Sequence, residues 1–165
     1  MTTETDYNEH GTLVVSRTYD APIEAVFDAW TQTSKVQQWF GCADTVNVNS
    51  TIEPKVGGQY THEMTLKTAH GDHIVPGVSV FTEYDPPNVL AYAPPRSPNM
   101  PNDTPGGEGA EMSVRVEFTA LSKNQTQVRL THTGIPHEFS PFIIDGWGAA
   151  FGKLFRFLVT EAHAA

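Results

Sequence analysis

The apolar positions near the N-terminus change from the alternation of a strand to the spacing of a helix. Residues 13–19 are rich in β-branched and aromatic side chains, which predicts a first strand. Apolar residues then recur at the i, i+3, i+4 and i+7 spacing of one helical face, at Ile23, Val26, Phe27 and Trp30. A second short helix is predicted to begin at Thr33 or Ser34 and to end at Gly41. The chain therefore opens with a strand and two helices.

Between Asp44 and Thr133 the apolar residues alternate with polar ones, as in strands that bury one face. The pattern predicts six strands, near residues 45–53, 58–67, 73–84, 88–93, 111–121 and 125–133. Turn-forming residues separate them, for example Gly71-Asp72 and Pro86-Pro87-Asn88. Successive strands joined by short turns pair antiparallel, so we expect a meander rather than a parallel βαβ sheet.

From Pro141 to the end of the chain the period is helical again. A wide apolar stripe runs along this helix and contains Phe142, Trp147, Phe151, Leu154, Phe155 and Leu158. Gly146, Gly148 and Gly152 lie on or beside the stripe. Because glycine costs a helix about 1 kcal/mol relative to alanine, these glycines indicate either close approach of the helix to the sheet or room for a bound molecule.

Two segments fall outside the periodic pattern. Residues 1–11 are polar and acidic, and we expect a disordered leader ahead of a single domain over residues 12–165. Residues 93–109 contain five prolines and three glycines, which excludes a central strand. Both a functional lid and a disordered loop fit such a segment.

Charge and cysteine content narrow the class of partner. The net charge is −9 and the ten Lys and Arg residues are scattered singly, so neither nucleic acid nor an anionic membrane is expected as a partner. The partner classes that remain are neutral or apolar small molecules and a basic protein surface. Cys42 is the only cysteine, which excludes an internal disulfide and, with the polar N-terminus, predicts a cytoplasmic protein.

Particular residues along this order of elements match a known pattern. They are Arg17, Ala21-Pro22, Val26-Phe27, Ala29-Trp30, Gln38-Trp39-Phe40-Gly41, Gly57-Gly58, Gly77, Glu83-Tyr84-Asp85-Pro86-Pro87, Leu90, Thr126, Leu130-Thr131-His132-Thr133-Gly134, Gly146-Trp147 and Leu154. In order and spacing they resemble the START-like (SRPBCC) superfamily, and within it the branch similar to the C-terminal domain of the activator of heat-shock chaperone ATPase.

The resemblance implies an α+β helix-grip fold. A curved antiparallel sheet of six to seven strands would wrap around the long C-terminal helix, with two short helices after strand 1, and enclose an apolar cavity. It implies no single activity, since members of the superfamily carry lipids or hormones, act as cyclases or aromatases, or have no assigned role.

Strand alternation identifies the side chains that would line this cavity. If Tyr60 faces inward, His62 and Met64 do so as well. Alternation in the other strands and the stripe of the last helix complete the candidate ligand-binding set, which is Tyr60, His62, Met64, Tyr92, His132, Trp147 and Phe151. His62 is the stronger candidate for ligand contact. His132 belongs to the fold's Leu-Thr-His pattern and is expected to tie the last strand to the helix.

No convergent set of metal ligands, phosphate-binding loop or nucleophile elbow is present in the sequence, and we expect no metal and no cofactor. The leading hypothesis is a non-enzymatic protein that binds a hydrophobic small molecule in its cavity.

Two alternatives remain open at this point. The first is a cyclase- or aromatase-type enzyme in which His62 and Tyr60 or Tyr92 steer proton transfers. The second is a co-chaperone-like protein-interaction module. Phe139 and Phe142 before the last helix would suit a homodimer contact.

Overall fold

The computed structural model describes residues 2–95 and 112–164 of the chain, and in this part it confirms the predicted α+β class. The strands are β1 Glu4–Tyr7, β2 Leu13–Tyr19, β3 Thr45–Ile52, β4 Tyr60–Thr68, β5 Gly71–Val75, β6 Val80–Asp85, β7 Val89–Ala93, β8 Ser113–Ser122 and β9 Gln125–Thr133. The helices are α1 Ile23–Thr31, α2 Thr33–Val36 and α3 Ser140–Ala164, with one turn of 3₁₀ helix at His137–Phe139.

The strands form two antiparallel sheets that meet at one edge. The larger sheet has the order β1-β2-β9-β8-β7-β6 and the smaller has the order β3-β4-β5. At the junction, a bridge pairs Gln59 with Val80, and the Tyr60 N–H donates to the Ser79 carbonyl at 2.8 Å. The two sheets are thereby joined along the start of β4, and the long helix α3 packs against the larger one. This is the predicted helix-grip arrangement.

The predicted strand at 73–84 was wrong, because the structure divides it into β5 and β6. Pro76 lacks the N–H that a sheet ladder requires. Gly77 adopts a positive φ of 53°, and a Cβ there would overlap the carbonyl oxygen of His62. Beyond Gly77 the chain still bonds to the start of β4 through the Ser79 carbonyl, and it continues into the larger sheet as β6.

Two further expectations need correction. The expected disordered leader contains β1, which pairs antiparallel with β2 in the register Glu4 to Ser16. The second helix ends at Val36 rather than near Gly41, so that Trp39 and Phe40 lie beyond it. Of the proline-rich segment at 93–109, residues 96–109 lie outside the described residues.

Aromatic side chains form the centre of the core between α1, α3 and the larger sheet. The fully buried Trp30 has its ring centroid 4.7 Å from that of Trp39 and 6.3 Å from that of Trp147. On α3, Phe151, Leu154 and Leu158 of the stripe are buried, whereas Phe155 is exposed. Among the described helices, none is both long and apolar enough to cross a membrane. The C-terminal half of α3 packs in the core, and its N-terminal half faces the candidate site.

Candidate functional site

Two adjoining cavities lie between the N-terminal half of α3, the segment after α2 and the two sheets. Their volumes are about 210 Å³ and about 270 Å³. They share the lining residues Phe40, Met64, Met112, His132 and Trp147. The first cavity extends toward Cys42 and Gly146, and the second toward His62 and Tyr92. The walls are mainly apolar, with a few polar groups concentrated in the second cavity.

Five of the predicted site residues line these cavities, namely His62, Met64, Tyr92, His132 and Trp147. The other two lie in the core and line neither cavity. Tyr60 is fully buried and donates its hydroxyl to the Trp30 carbonyl at 2.6 Å. Phe151 is fully buried, and its carbonyl accepts the hydroxyl of Tyr19 at 3.1 Å. Strand alternation places Tyr60 inward and the helical stripe does the same for Phe151, but packing with α1 and β2 fills the space around them.

His62 is the most deeply buried polar group on the cavity wall, with only 2% of its surface exposed. It pairs across β3 and β4 with Ser50, whose hydroxyl lies 2.8 Å from His62 Nδ1. Its ring packs at 4.2 Å, centroid to centroid, against Phe40 on one side and Tyr60 on the other. Burial lowers the pKa of His62 to about 3, so the imidazole is neutral at pH 7.

The second ring nitrogen of His62, Nε2, is buried and has no hydrogen-bond partner among the described residues. Because Ser50 Oγ can either donate to Nδ1 or accept from it, the proton of the neutral ring can reside on either nitrogen. His62 Nε2 can therefore act as a donor or as an acceptor. The change moves the ring proton from one nitrogen to the other, and the hydroxyl of Ser50 rotates to match.

Tyr92 supplies a second unpartnered polar atom to the same wall. Its side chain is buried, and its ring centroid lies 4.8 Å from that of Tyr60. Within the part of the chain that the structure describes, its hydroxyl has no hydrogen-bond partner. Burial raises the pKa of Tyr92, which keeps the phenol protonated. A buried polar group left without a partner costs roughly 1–3 kcal/mol, so a ligand that supplied one would recover part of that free energy.

His132 and Trp147 are joined by a hydrogen bond at the boundary between the cavities. The Trp147 indole N–H donates to His132 Nδ1 at 3.0 Å, which connects β9 to α3 as the Leu-Thr-His pattern predicts. Burial lowers the pKa of His132 to about 4, so this ring is also neutral at pH 7.

A lysine behind the first cavity holds its wall in place. The Lys153 ammonium donates to the carbonyls of Phe40 at 3.3 Å and Cys42 at 3.1 Å, and burial lowers the pKa of Lys153. The segment after α2 is also anchored by Trp39, whose indole N–H donates to the Ala29 carbonyl at 2.9 Å. These bonds fix Phe40 against His62 and Trp147.

Several residues of the site were not predicted, among them Ser50, Phe40 and Met112. Ser50 alternates in phase with Val48 in β3, and this alternation was an available signal that it faces inward opposite His62. Phe40 was assigned to a helix that ends before it. Met112 lies just before β8, and its alternation with the buried Val114, Val116 and Phe118 was an available signal that it faces inward.

Phe139 and Phe142, which suggested a dimer contact, are 50% and 62% exposed. Phe142 also lines the first cavity. The homodimer stays a prediction. Among the described residues, no group of three or more His, Cys, Asp or Glu side chains gathers as a metal site.

Several solved structures have the same fold over nearly the full chain. A protein of Mycobacterium smegmatis gives a TM-score of 0.75 at 15% identity, covering 98% of this chain and 99% of that one. A protein of Nitrosomonas europaea gives 0.74 at 18% identity, with 94% and 99% covered. A protein of Arthrobacter aurescens gives 0.74 at 19% identity, with 95% and 91% covered. At these identities the likeness shows the fold alone.

No curated protein matches the chain. One family description does match. The matched segment begins just after β2 and ends within α3, and it includes every cavity-lining element named above. Since residues 20–158 match the family described as Activator of Hsp90 ATPase homolog 1-like protein, the chain belongs to this AHSA1 family.

Proposed function

We propose that this protein binds a hydrophobic small molecule in the two adjoining cavities and does not catalyse a reaction on it. The observation that carries the proposal is the pair of cavities itself, with five shared lining residues and two unpartnered polar atoms nearby. Membership of the AHSA1 family supports a ligand-binding or co-chaperone-like module.

The size and lining of the cavities suit a compact ligand. Volumes of about 210 and 270 Å³ together reach the range of roughly 300–1,000 Å³ that is typical of small-molecule sites. Phe40 and Trp147 contribute flat aromatic faces to both cavities, and Met64 contributes a flexible thioether chain that adapts to the shape of its neighbours.

The titration of the two histidines favours binding over proton-transfer catalysis. A general base works best when its pKa lies near the operating pH. Burial lowers the pKa of His62 to about 3 and that of His132 to about 4, and His132 Nδ1 already accepts the Trp147 N–H. Both rings are therefore weak bases at pH 7, and the cyclase or aromatase alternative has less support than the binding protein.

A matched pair of glycine variants tests the proposal. A Cβ at Gly146 would make an ordinary contact of 3.6 Å with Cys42 Cβ, and Gly146 lines the first cavity. A Cβ at Gly148 would meet nothing within 4 Å, and Gly148 lines neither cavity. Gly146→Leu and Gly148→Leu gain the same helix propensity, but only the first places a side chain in the cavity.

The measurement is binding of an uncharged apolar dye, a dimethylaminonaphthalene that carries a propyl chain, followed by fluorescence. We expect the wild type and Gly148→Leu to bind the dye with equal affinity, and Gly146→Leu to bind it at least about tenfold more weakly, since the new side chain occupies the space. Native mass spectrometry of the gently purified wild type should show an apolar compound bound. Equal dye binding by both variants, or no binding by any of the three proteins, would contradict the proposal.

A second candidate function is a protein-interaction module acting on a chaperone, and the family description is the observation that favours it. The ATPase rate of Hsp90 from the same source, measured with and without this protein, tests that role. If the hydrolysis rate is unchanged and the wild type binds the dye, the chaperone role is excluded and the small-molecule function is supported.

A further inference from the structure

The described walls of both cavities carry polar groups without charge. Their polar side chains include His62, Tyr92 and His132, and no Asp, Glu, Lys or Arg is found among the described lining residues. Lys153, which holds the segment after α2, donates to two backbone carbonyls and lines neither cavity. A buried ion without a partner is strongly disfavoured. A carboxylate or ammonium ligand would find no counter-ion on these walls.

The hydrogen bond between Trp147 and His132 determines which nitrogen of His132 carries the proton. Trp147 Nε1 is only a donor, so His132 Nδ1, which lies 3.0 Å away, must be the unprotonated acceptor. The ring is neutral at pH 7, because burial lowers its pKa to about 4. Its single proton therefore resides on Nε2. His132, which lines both cavities, is a fixed hydrogen-bond donor rather than an ion.

Tyr92 adds a second neutral donor to the wall of the second cavity. Its hydroxyl is protonated, buried and without a partner. His62 differs from both groups. Its hydrogen bond with Ser50 is compatible with either tautomer of the ring, so Nε2 can donate or accept. On the described walls His132 Nε2–H can only donate, whereas the hydroxyls of Tyr92, Ser79 and Ser113 can donate or accept. A ligand complementary to this fixed donor supplies an acceptor.

Building on the binding function proposed above, we propose that the ligand is an uncharged, compact apolar molecule whose polar part is a carbonyl oxygen that accepts a hydrogen bond from His132 Nε2–H. A ketone, an aldehyde or an ester has this chemistry. A free fatty acid or an amine does not. Trp147 acts as a positioning residue, because its N–H holds the donating tautomer of His132.

Three probes that share one dimethylaminonaphthalene ring separate the elements of the proposal. One carries a propionyl ketone, one the propyl chain without the oxygen, and one a carboxylate. We expect the ketone to bind the wild type about tenfold more tightly than the propyl probe, the equivalent of one buried hydrogen bond. The carboxylate should bind at least about a hundredfold more weakly than the ketone, because its charge would be buried without a partner.

Variants of His132 assign the preference to this residue. His132→Leu should lose the preference for the ketone while it still binds the propyl probe, which shows that the cavity persists. His132→Gln should keep part of the preference, since its amide can accept from Trp147 and donate to the ligand. His70→Leu, at an exposed turn residue, is the matched control and should behave as the wild type.

The outcomes distinguish this inference from the binding function on which it rests. Equal affinity of the wild type for the ketone and the propyl probe would overturn the carbonyl inference while the apolar cavity still binds. Tight binding of the carboxylate would also overturn it. Failure of all three probes to bind would overturn the binding function itself, and this inference with it.

Discussion

Removal of one hydroxyl oxygen should change stability in opposite directions at two neighbouring tyrosines. Tyr60 and Tyr92 are both buried, and their ring centroids lie 4.8 Å apart. The Tyr60 hydroxyl donates to the Trp30 carbonyl at 2.6 Å, whereas the Tyr92 hydroxyl has no partner in residues 2–95 and 112–164. Tyr60→Phe and Tyr92→Phe thus delete the same atom from nearly the same environment, and only the hydrogen bond differs.

The magnitudes follow from this difference. Tyr60→Phe removes a buried hydrogen bond and leaves a carbonyl without it, so the free energy of unfolding should fall by about 1–2 kcal/mol. Tyr92→Phe removes an unsatisfied hydroxyl, which should raise the free energy of unfolding by about 1–2 kcal/mol. The oxygen leaves a void on the order of 10 Å³, and this void offsets only about 0.2 kcal/mol of the stabilisation.

Urea denaturation of the ligand-free proteins, followed by circular dichroism, measures both changes. At equal m-values the midpoints should shift in opposite directions, and the melting temperatures should separate by roughly 4–16 °C between the two variants. If Tyr92→Phe lowers stability as much as Tyr60→Phe does, the Tyr92 hydroxyl is satisfied in solution. The assignment of an unmet polar group to the cavity wall would then be refuted.

Three further outcomes test the packing around the site. Because burial lowers the folded-state pKa of His62 to about 3, below the usual value of about 6.5, unfolding takes up a proton in this window and stability falls as the pH drops from about 6.5 to about 3. His62→Gln should therefore reduce the pH dependence of the free energy of unfolding by up to about 1.4 kcal/mol per pH unit, measured by urea titrations at several pH values in that range. An unchanged slope would show that His62 titrates normally. Gly77→Ala should destabilise the fold by more than about 2 kcal/mol, because the added Cβ overlaps the His62 carbonyl at a positive φ. Gly57→Ala has a positive φ but open space around it and should cost only about 1 kcal/mol; equal thermal shifts of the two variants would argue against the close approach. Lys153→Met removes the donor to two carbonyls of the cavity wall and should cost about 2 kcal/mol. Lys35→Met, which loses only a 3.7 Å surface ion pair with Glu161, should cost less than about 0.5 kcal/mol in the same denaturation assay.

Local periodicity was sufficient to predict an element of secondary structure where one face of that element is buried and the other is exposed. Strand β2 and helix α3 lie where alternation and the helical stripe predict them, since these patterns reflect burial that repeats along a single element. The same rule placed His62 and Met64 on a common face toward the cavity. The choice of His62 over His132 followed from Tyr60 and Met64 on the same strand face and from its position outside the Leu-Thr-His pattern.

Other features depend on partners that are distant in the chain, and only the tertiary structure decided them. The hydroxyls of Tyr60 and Tyr92 look alike in sequence, yet one meets the carbonyl of Trp30 and the other meets no acceptor. The division of β5 from β6 depends on contact of Gly77 with His62 as well as on Pro76.

The cavities also depend on contacts between residues that are distant in the chain. A periodic pattern predicts which side chains point inward, but the space they leave depends on how side chains from separate elements fit together. Phe151 and Trp147 share one apolar stripe of α3, and packing makes the first a core residue and the second a cavity wall. The sequence alone determined the fold and the inward faces. The volume, the tautomer of His132 and the unmet hydroxyl of Tyr92 arise from contacts between residues far apart in the chain.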